Sequence, residues 1–386
     1  MAQDELTIRD KVAIVGIGET AYYRRGGSPV SEIQLCVEAI KAAVADAGLQ
    51  MTDIDGFASY AADRNDPVRL STLLGMPRIT FSNMYWGGGG GGGSGAVANA
   101  AAAVVAGYAN YVVAYRSLAQ GEFGRFGQAR GGGAQRFTGA QAFTAPYGYM
   151  TPAQTLAAMQ AQRHMYEFGT KREHFGAIAL ASYKHANRNP RAVMYERKLS
   201  MDDYLNSRWI CEPLCLYDCC LETDGAAAVV ITSAERARDL PNKPAYLLAA
   251  AQGSAPRRPF TGTNHDTIAD DLWRMAGIGP QDVDVAQCYE NFTPLVLMTL
   301  EDYGFCQKGE GGDFVQDGRI EWPDGDLPVN TSGGNLAEAY THGFELITEA
   351  VRQIRGTSTS QVEGVEVSFV ASGPNVSPVS SLVMRG

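Results

Sequence analysis

Ala47-Gly48-Leu49-Gln50-Met51-Thr52-Asp53-Ile54-Asp55 closes an amphipathic helix in the first half of the chain, and Ala276-Gly277-Ile278-Gly279-Pro280-Gln281-Asp282-Val283-Asp284 closes another in the second. Apolar positions follow helical spacing before each copy, at Ile33, Cys36, Val37, Ile40 and Val44 in the first and at Ile268, Leu272 and Met275 in the second. Glycine stands at the helix stop in both, where the chain has to leave the right-handed helix. The surrounding elements recur in the same order. A short apolar strand precedes each helix, at Val12–Val15 and Ala245–Leu248. A glycine-marked turn then leads into a second helix, Gly87–Gly95 before Ala96–Ala106 and Gly333-Gly334 before Phe344–Ile354. A strand follows, Tyr111–Ala114 in one half and Val365–Val370 in the other. Strands alternating with helices in two matching halves predict an α/β fold of layered sheets covered by helices.

A segment of different character separates the halves, about Gln120 to Leu221, with helical runs at Thr151–Phe168, Arg172–Arg188 and Met201–Arg208. It reads as an insertion, after which Asp224-Gly225-Ala226-Ala227-Ala228-Val229-Val230-Ile231 returns as a strand of the first sheet. The organisation expected is therefore 1–119 completed by 222–238 as the first half, 120–221 as the insertion, and 239–386 as the second half. At 386 residues, 45% hydrophobic and 19% charged, the chain can bury a large core, which excludes disorder and a small cross-linked module. A net charge of −10 argues against bulk attraction to nucleic acid or anionic membrane. Seven cysteines, an odd number, and a start without signal-peptide character point to free thiols in a reducing, cytoplasmic compartment. No charge occurs between Arg78 and Arg116, yet Ala96–Tyr115 is too weakly apolar for a spanning helix and suits a helix and strand buried in protein.

Three motifs carry less than they promise. Gly16-Ile17-Gly18-Glu19-Thr20-Ala21 fits a dinucleotide fingerprint, but loop residues follow where the helix must begin. The Gly87–Gly93 run lacks the Lys-Ser or Lys-Thr of a phosphate cradle; it offers either room and backbone amides for a ligand or a turn packed under another element. Cys211, Cys215, Cys219 and Cys220 lack the spacing of a zinc site and read as buried structural thiols, so no metal is expected. For His164, His174 and His185 surface roles are expected; His342 is the histidine to watch.

The two halves, the insertion and the string Thr223-Asp224-Gly225-Ala226-Ala227-Ala228 together resemble the thiolase superfamily over essentially the whole chain, in its lipid-transfer-protein or sterol-carrier-protein-x branch. The resemblance implies a thiolase fold: two similar βαβαβ halves in five α-β-α-β-α layers, an inserted loop domain, and acyl-CoA as substrate with no separate cofactor. Its signatures carry over one at a time. The nucleophilic cysteine of the first falls at or near Gly92 in Gly92-Gly93-Ser94-Gly95, and is absent. The second corresponds to Tyr289-Glu290-Asn291-Phe292, with tyrosine at the lead position. The third aligns Tyr340 with the family's histidine in the stretch from Gly333 to Gly343. The last, Cys-x-Gly-Gly, matches Ala371-Ser372-Gly373-Pro374, and that cysteine is missing too.

Without a cysteine to carry the acyl group, Claisen condensation and thiolysis lose their covalent intermediate. A β-hydroxyacyl-CoA can still break its α–β carbon bond, because the thioester is itself the electron sink once the hydroxyl proton leaves. The resemblance implies the same reaction: the steroid side-chain aldolases of this branch carry tyrosines at these positions. They cleave a 17-hydroxy steroid 20-carboxyl-CoA to a 17-ketosteroid and propionyl-CoA in cholesterol catabolism. Tyr289 and Tyr340 are the expected acid/base pair, with His342, Glu290 and Asn291 in support. His342 is the candidate for shifting a phenol toward basicity. Gly92, Gly93, Ser94, Gly334 and Gly373 are expected to supply backbone and space for the substrate. A homodimer is expected, in a heterotetramer with a small OB-fold, hydratase-associated partner. Two other readings remain: a non-catalytic acyl-CoA or sterol-binding scaffold for a partner enzyme, and a cysteine-independent decarboxylating enzyme that consumes malonyl-CoA.

Overall fold

The two copies of the repeat play one structural part twice in a computed structural model that describes residues 7–61, 63–86, 89–122, 139, 142, 153–256 and 259–386. Gly48 and Gly277 stop their helices at φ +72° and +69°, a left-handed conformation that glycine adopts without a steric cost. Asp53 accepts the backbone N–H of Gln50, and Asp282 that of Gly279, each at 2.8 Å. Asp55 then accepts the amides of Asn110 and Tyr111 at 2.9 Å, and Asp284 those of Glu366 and Val367 at 2.8 Å. Each aspartate thus ties the end of its repeat to the start of a strand more than fifty residues away.

Strand pairing repeats in the same way. In the first half β1 (Val12–Glu19) pairs antiparallel with β8 (Thr223–Ser233), with the two-residue β2 (Tyr23–Arg24) also against β8. Strand β8 pairs antiparallel with β5 (Tyr111–Ala119); β5 is parallel to β3 (Gly56–Tyr60), and β3 to β4 (Phe81–Tyr85), while β6 (Trp209–Cys211) and β7 (Leu214–Cys215) form a separate two-stranded ribbon. In the second half β9 (Ala245–Gly253) pairs antiparallel with β12 (Val379–Arg385), β12 antiparallel with β11 (Val367–Ser372), and β11 parallel with β10 (Val285–Cys288). Val329 makes one parallel bridge to Ala286 where the first half has β4. The two sheets are hydrogen-bonded to each other through Ala13–Tyr246 and Ile14–Ala245, so ten strands form one continuous ladder and neither β1 nor β9 leaves an open edge.

Helices α1 (Glu32–Asp46) and α2 (Pro67–Leu74) cover the outer face of the first sheet. Two helices fill the middle: α3 (Gly93–Val105) of the first half, and its counterpart Phe344–Arg355 of the second. Their residues Ala96, Val97, Ala100, Ile347, Ala350 and Val351 share one core with Ile14 and Ala114 of the first sheet and Val370 and Leu382 of the second. The inserted helices α4 (Ala153–Phe168) and α5 (Arg172–Ala186), with α6 (Asp266–Ala276) and α7 (Thr293–Asp302), bury the outer face of the second sheet; Phe344–Arg355 is α8. The layers are therefore helix, sheet, helix, sheet, helix, the thiolase arrangement.

Several boundaries move. Helix α3 starts at Gly93 rather than Ala96, because serines of the second half hold its first turn; the helix expected to Arg208 ends at Leu205; and β11 is Val367–Ser372. Gly87, Gly88, Thr151 and much of the insertion's first part lie outside the described residues. Among the described residues no helix is long and apolar enough to cross a membrane.

The repeated aspartates give a direct test of the duplication. Asp55→Ala and Asp284→Ala should each lower unfolding free energy by about 1–3 kcal/mol in denaturant titrations, the cost of stranding two amides that bonded a charged acceptor.

Candidate active site

Tyr289 follows β10 directly, its amide still donating to Ala371 O at 2.9 Å, and Tyr340 lies in the loop before α8. The segment that leads from the insertion into β8 clamps both. Cys220 N donates to Asn291 O at 3.0 Å and Leu221 N to Asn335 O at 2.9 Å. Thr223 Oγ1 accepts Tyr340 N at 2.8 Å and donates to Tyr340 O at 3.1 Å. The result is that two phenols 51 residues apart meet: Tyr289 Oη and Tyr340 Oη are 2.8 Å apart, and both side chains are buried.

The glycines explain how Tyr289 fits. A β-carbon on Gly90 would lie 2.0 Å from Tyr289 Cε2, and one on Gly343 would lie 2.3 Å from its Cδ2. The ring is thus seated between two positions that lack side chains. The room expected at Gly92 is not open to substrate, because Tyr60 occupies it: a β-carbon there would come to 2.4 Å from Tyr60 Cβ. A nucleophile at Gly92 is therefore excluded by packing. Gly373 lets the backbone of Gly91 pass, at 2.1 Å from the position of a β-carbon, and Gly334 makes way for the Glu290 carboxyl, at 1.8 Å. The amides expected to face a ligand at the start of α3 are also taken. Ser94 N donates to Ser372 Oγ at 3.1 Å and Gly95 N to Ser380 Oγ at 2.8 Å, while the Ser94 and Ser372 hydroxyls lie 2.8 Å apart. Gly93 is the least crowded of the group, its nearest neighbour Ser372 Oγ at 3.3 Å.

Behind the pair stands a charged group that sequence reading missed. Residues 114, 116 and 118 of β5 alternate onto the sheet's inner face, which carries Arg116 toward the middle layer. Its Nη1 donates to Asp63 Oδ2 at 2.9 Å in a buried ion pair, and its Nε and Nη2 reach His342 Nδ1 at 3.2 and 3.0 Å. Tyr60 Oη donates to His342 O at 2.9 Å. A lone charge in the apolar strand Tyr111–Ala119 was the available signal for Arg116, and Thr223 opens the string that carries the family resemblance; Tyr60 and Asp63 had no signal.

Electrostatics keep this centre neutral. Burial pushes both tyrosines well above the ordinary phenol range, with Tyr340 and the Cys220 thiol adding to it at Tyr289 and the Cys220 thiol at Tyr340. Burial, then the Arg116 cation, holds His342 well below the usual histidine range. The expectation that His342 makes a phenol more basic therefore fails, since a neutral imidazole supplies no charge. Burial drives the Glu290 carboxyl well upward against the amides of Leu336 and Asn335, and raises Glu345 to about 7 where it accepts Thr341 N at 3.1 Å. Asn291 contributes its carbonyl to the Cys220 clamp.

Two histidines expected at the surface are buried instead. His164 pairs with Glu301 at 3.1 Å, and His185 bonds Asn330 O at 3.1 Å. They join α4 and α5 to the second half, a contact invisible in local spacing. Of the four clustered cysteines only Cys215 is fully buried, and all are free. Among the described residues no cluster could hold a metal.

Two duplicated halves stacked around paired central helices, with tyrosines where a cysteine enzyme has its acid/base group, define a thiolase fold with altered chemistry. Residues 252–384 match the family described as thiolase C-terminal domain-like. The chain is 43% identical to 17-hydroxy-3-oxo-4-pregnene-20-carboxyl-CoA lyase of Mycobacterium tuberculosis, over 97% of this chain and 99% of that protein. It is also 43% identical to a steroid side-chain-cleaving aldolase of Thermomonospora curvata, over 96% and 97%. The solved Ltp2-ChsH2(DUF35) aldolase superposes with a TM-score of 0.90 at 41% identity, covering 98% of this chain and 99% of that one. Human mitochondrial 3-ketoacyl-CoA thiolase superposes at 0.70 with 14% identity, a likeness of fold alone. The chain belongs to the thiolase superfamily, in the sterol-carrier-protein-thiolase-like branch that includes the steroid side-chain-cleaving aldolases.

Gly90→Ala tests the seat of Tyr289. The added methyl should displace the ring, break the phenol–phenol hydrogen bond and lower turnover at least about tenfold while circular dichroism stays unchanged. Wild-type turnover would show that the observed position of Tyr289 is not required.

Proposed function

We propose that this protein is a retro-aldolase that cleaves 17-hydroxy-3-oxo-4-pregnene-20-carboxyl-CoA, or a closely similar β-hydroxyacyl-CoA, to a 17-ketosteroid and propionyl-CoA. The observation that carries this reading is the 2.8 Å contact between two buried phenols, in a site where Tyr60 fills the space a nucleophile would need. The hydroxyl proton leaves, the carbinol carbon becomes a ketone, and the electron pair of the broken carbon–carbon bond passes to the thioester enolate. A proton then reaches the α-carbon. One proton departs and one arrives, so the reaction needs no co-reactant.

The pair suits that exchange as a relay. One phenol takes the hydroxyl proton as it passes its own to the other, which delivers a proton to the enolate. Both tyrosines start and finish neutral, in keeping with their raised pKa values. The contact has either phenol as donor, so the geometry leaves the direction of the relay open. Likeness to the Ltp2-ChsH2(DUF35) aldolase supports a DUF35 partner of OB-fold type. The assembly proposed is a homodimer carrying two partner chains, acting in the cytoplasm.

Incubating the protein with the steroid thioester, with and without the partner, should release propionyl-CoA. A binding scaffold would release none, and a decarboxylating enzyme would consume malonyl-CoA instead. Tyr289→Phe and Tyr340→Phe should each reduce turnover by about 10²–10⁴-fold, the usual worth of a positioned acid or base. The pH dependence separates relay from phenolate. A phenolate base with a pKa above 10 would make the rate rise about tenfold per pH unit between about pH 8 and 9.5, whereas a neutral relay keeps it nearly level there.

A further inference from the structure

Resting on that reading, we propose that Arg116, anchored by Asp63, is a positioning residue that holds His342 as a neutral Nε2–H donor beside the tyrosine pair, where it bonds the substrate's oxygen. Three independent features of the geometry converge on this. Arginine has no acceptor, so a guanidinium at 3.0 and 3.2 Å from Nδ1 obliges that nitrogen to accept, and the ring's one proton sits on Nε2. The imidazole and Tyr340 rings meet at 85° with centroids 5.2 Å apart, and His342 is less buried than either tyrosine, so a substrate held at the pair comes within reach of the imidazole. Finally, the backbone is held against its preference: His342 has φ +54°, a left-handed conformation unusual for a side-chain-bearing residue, and Tyr60 Oη pins its carbonyl at 2.9 Å. A turn needing only that shape would be met by glycine, as at Gly343.

The charge arrangement is asymmetric in a useful way. The groups around His342 are Arg116 on β5, with Asp63 behind it from the loop after β3, the phenols of Tyr60 and Tyr340, and Glu345 beneath Thr341. Asp63 is spent on Arg116, Ser117 N and the Asn65 amide, so it balances the guanidinium without touching the imidazole. The ring therefore sees a cation on its Nδ1 side and neutral phenols near it, and stays uncharged where an enolate develops. A fixed neutral donor stabilises that oxygen without giving up its proton, which leaves proton transfer to the tyrosines.

The test combines spectroscopy with kinetics. In protein labelled with [¹⁵N]histidine, with the His342 signals assigned by their loss in His342→Phe, Nε2 should be pyrrole-like and Nδ1 pyridine-like from about pH 6 to 9. A wild-type His342 that carries its proton on Nδ1, or that titrates near 6.5, overturns the proposal. In turnover, His342→Phe should lower kcat about 10²–10³-fold with little change in KM, and His342→Gln, which keeps an N–H donor, should recover most of it. Arg116→Met should mix the tautomers and lower kcat, whereas Arg116→Gln, which can still donate to Nδ1, should keep the proton on Nε2 and retain most of kcat; the wild-type spectra decide the tautomer even if the methionine variant fails to fold. A His342→Phe enzyme with wild-type kcat, in a protein where Tyr289→Phe and Tyr340→Phe are inactive, sinks this inference and spares the retro-aldol reading. A wild type that cleaves no steroid thioester sinks that reading instead, while the nitrogen spectra still judge the positioning.

Discussion

The Tyr289 ring sits between the backbones of Gly90 and Gly343, and this fit brings the two halves of the chain together at one point. Gly90 belongs to the turn that opens α3, Gly343 to the turn that opens α8, and Tyr289 to the end of β10. Central helices from opposite halves can meet only if their leading turns approach closely, and that approach leaves no room for β-carbons. The same logic runs along the glycine turn: Gly91 packs on Val376, Gly92 on Tyr60 and Gly95 on Tyr85, each with a β-carbon position inside 2.5 Å of a neighbouring atom. Gly90, Gly91, Gly92 and Gly95 are thus sockets for neighbouring side chains.

Seating aromatic rings there alters the chemistry the fold can perform. Room that would hold a cysteine thiolate belongs to Tyr60, and the acid/base position belongs to Tyr340. Burial then sets the electrostatic character of the centre by disfavouring every charged form: phenols and carboxyls are pushed up, the imidazole down. The exception is the Arg116–Asp63 pair, which is neutral as a unit. Burying such a pair is tolerable only when both partners are well bonded, and Asp63 also accepts from Asn65 and Ser117. A neutral site of this kind favours shuttling protons over holding charge.

The insertion has a structural part beyond covering a surface. Its last residues, Cys220 and Leu221, bond Asn291 and Asn335, and Thr223 at the start of β8 continues the clamp onto Tyr340. Its buried histidines, His164 and His185, anchor α4 and α5 to the second half. The stretch from Cys220 to Thr223 is thus hydrogen-bonded to the loops of both tyrosines.

The duplication is legible in the chain alone, since the Ala-Gly-(Leu/Ile) repeat, its aspartates and the order of apolar runs are local patterns whose physical cause is also local. The chain shows as well which signature positions have changed, and so points to Tyr289 and Tyr340. That these phenols touch, that Gly92 is filled and that the Arg116 guanidinium bonds His342 emerges only from the fold. Those facts depend on contacts between residues up to 226 positions apart, as in Arg116 with His342, and on burial, which no local pattern carries. A lone arginine in an apolar strand signals that a partner exists; the fold alone says which partner it is.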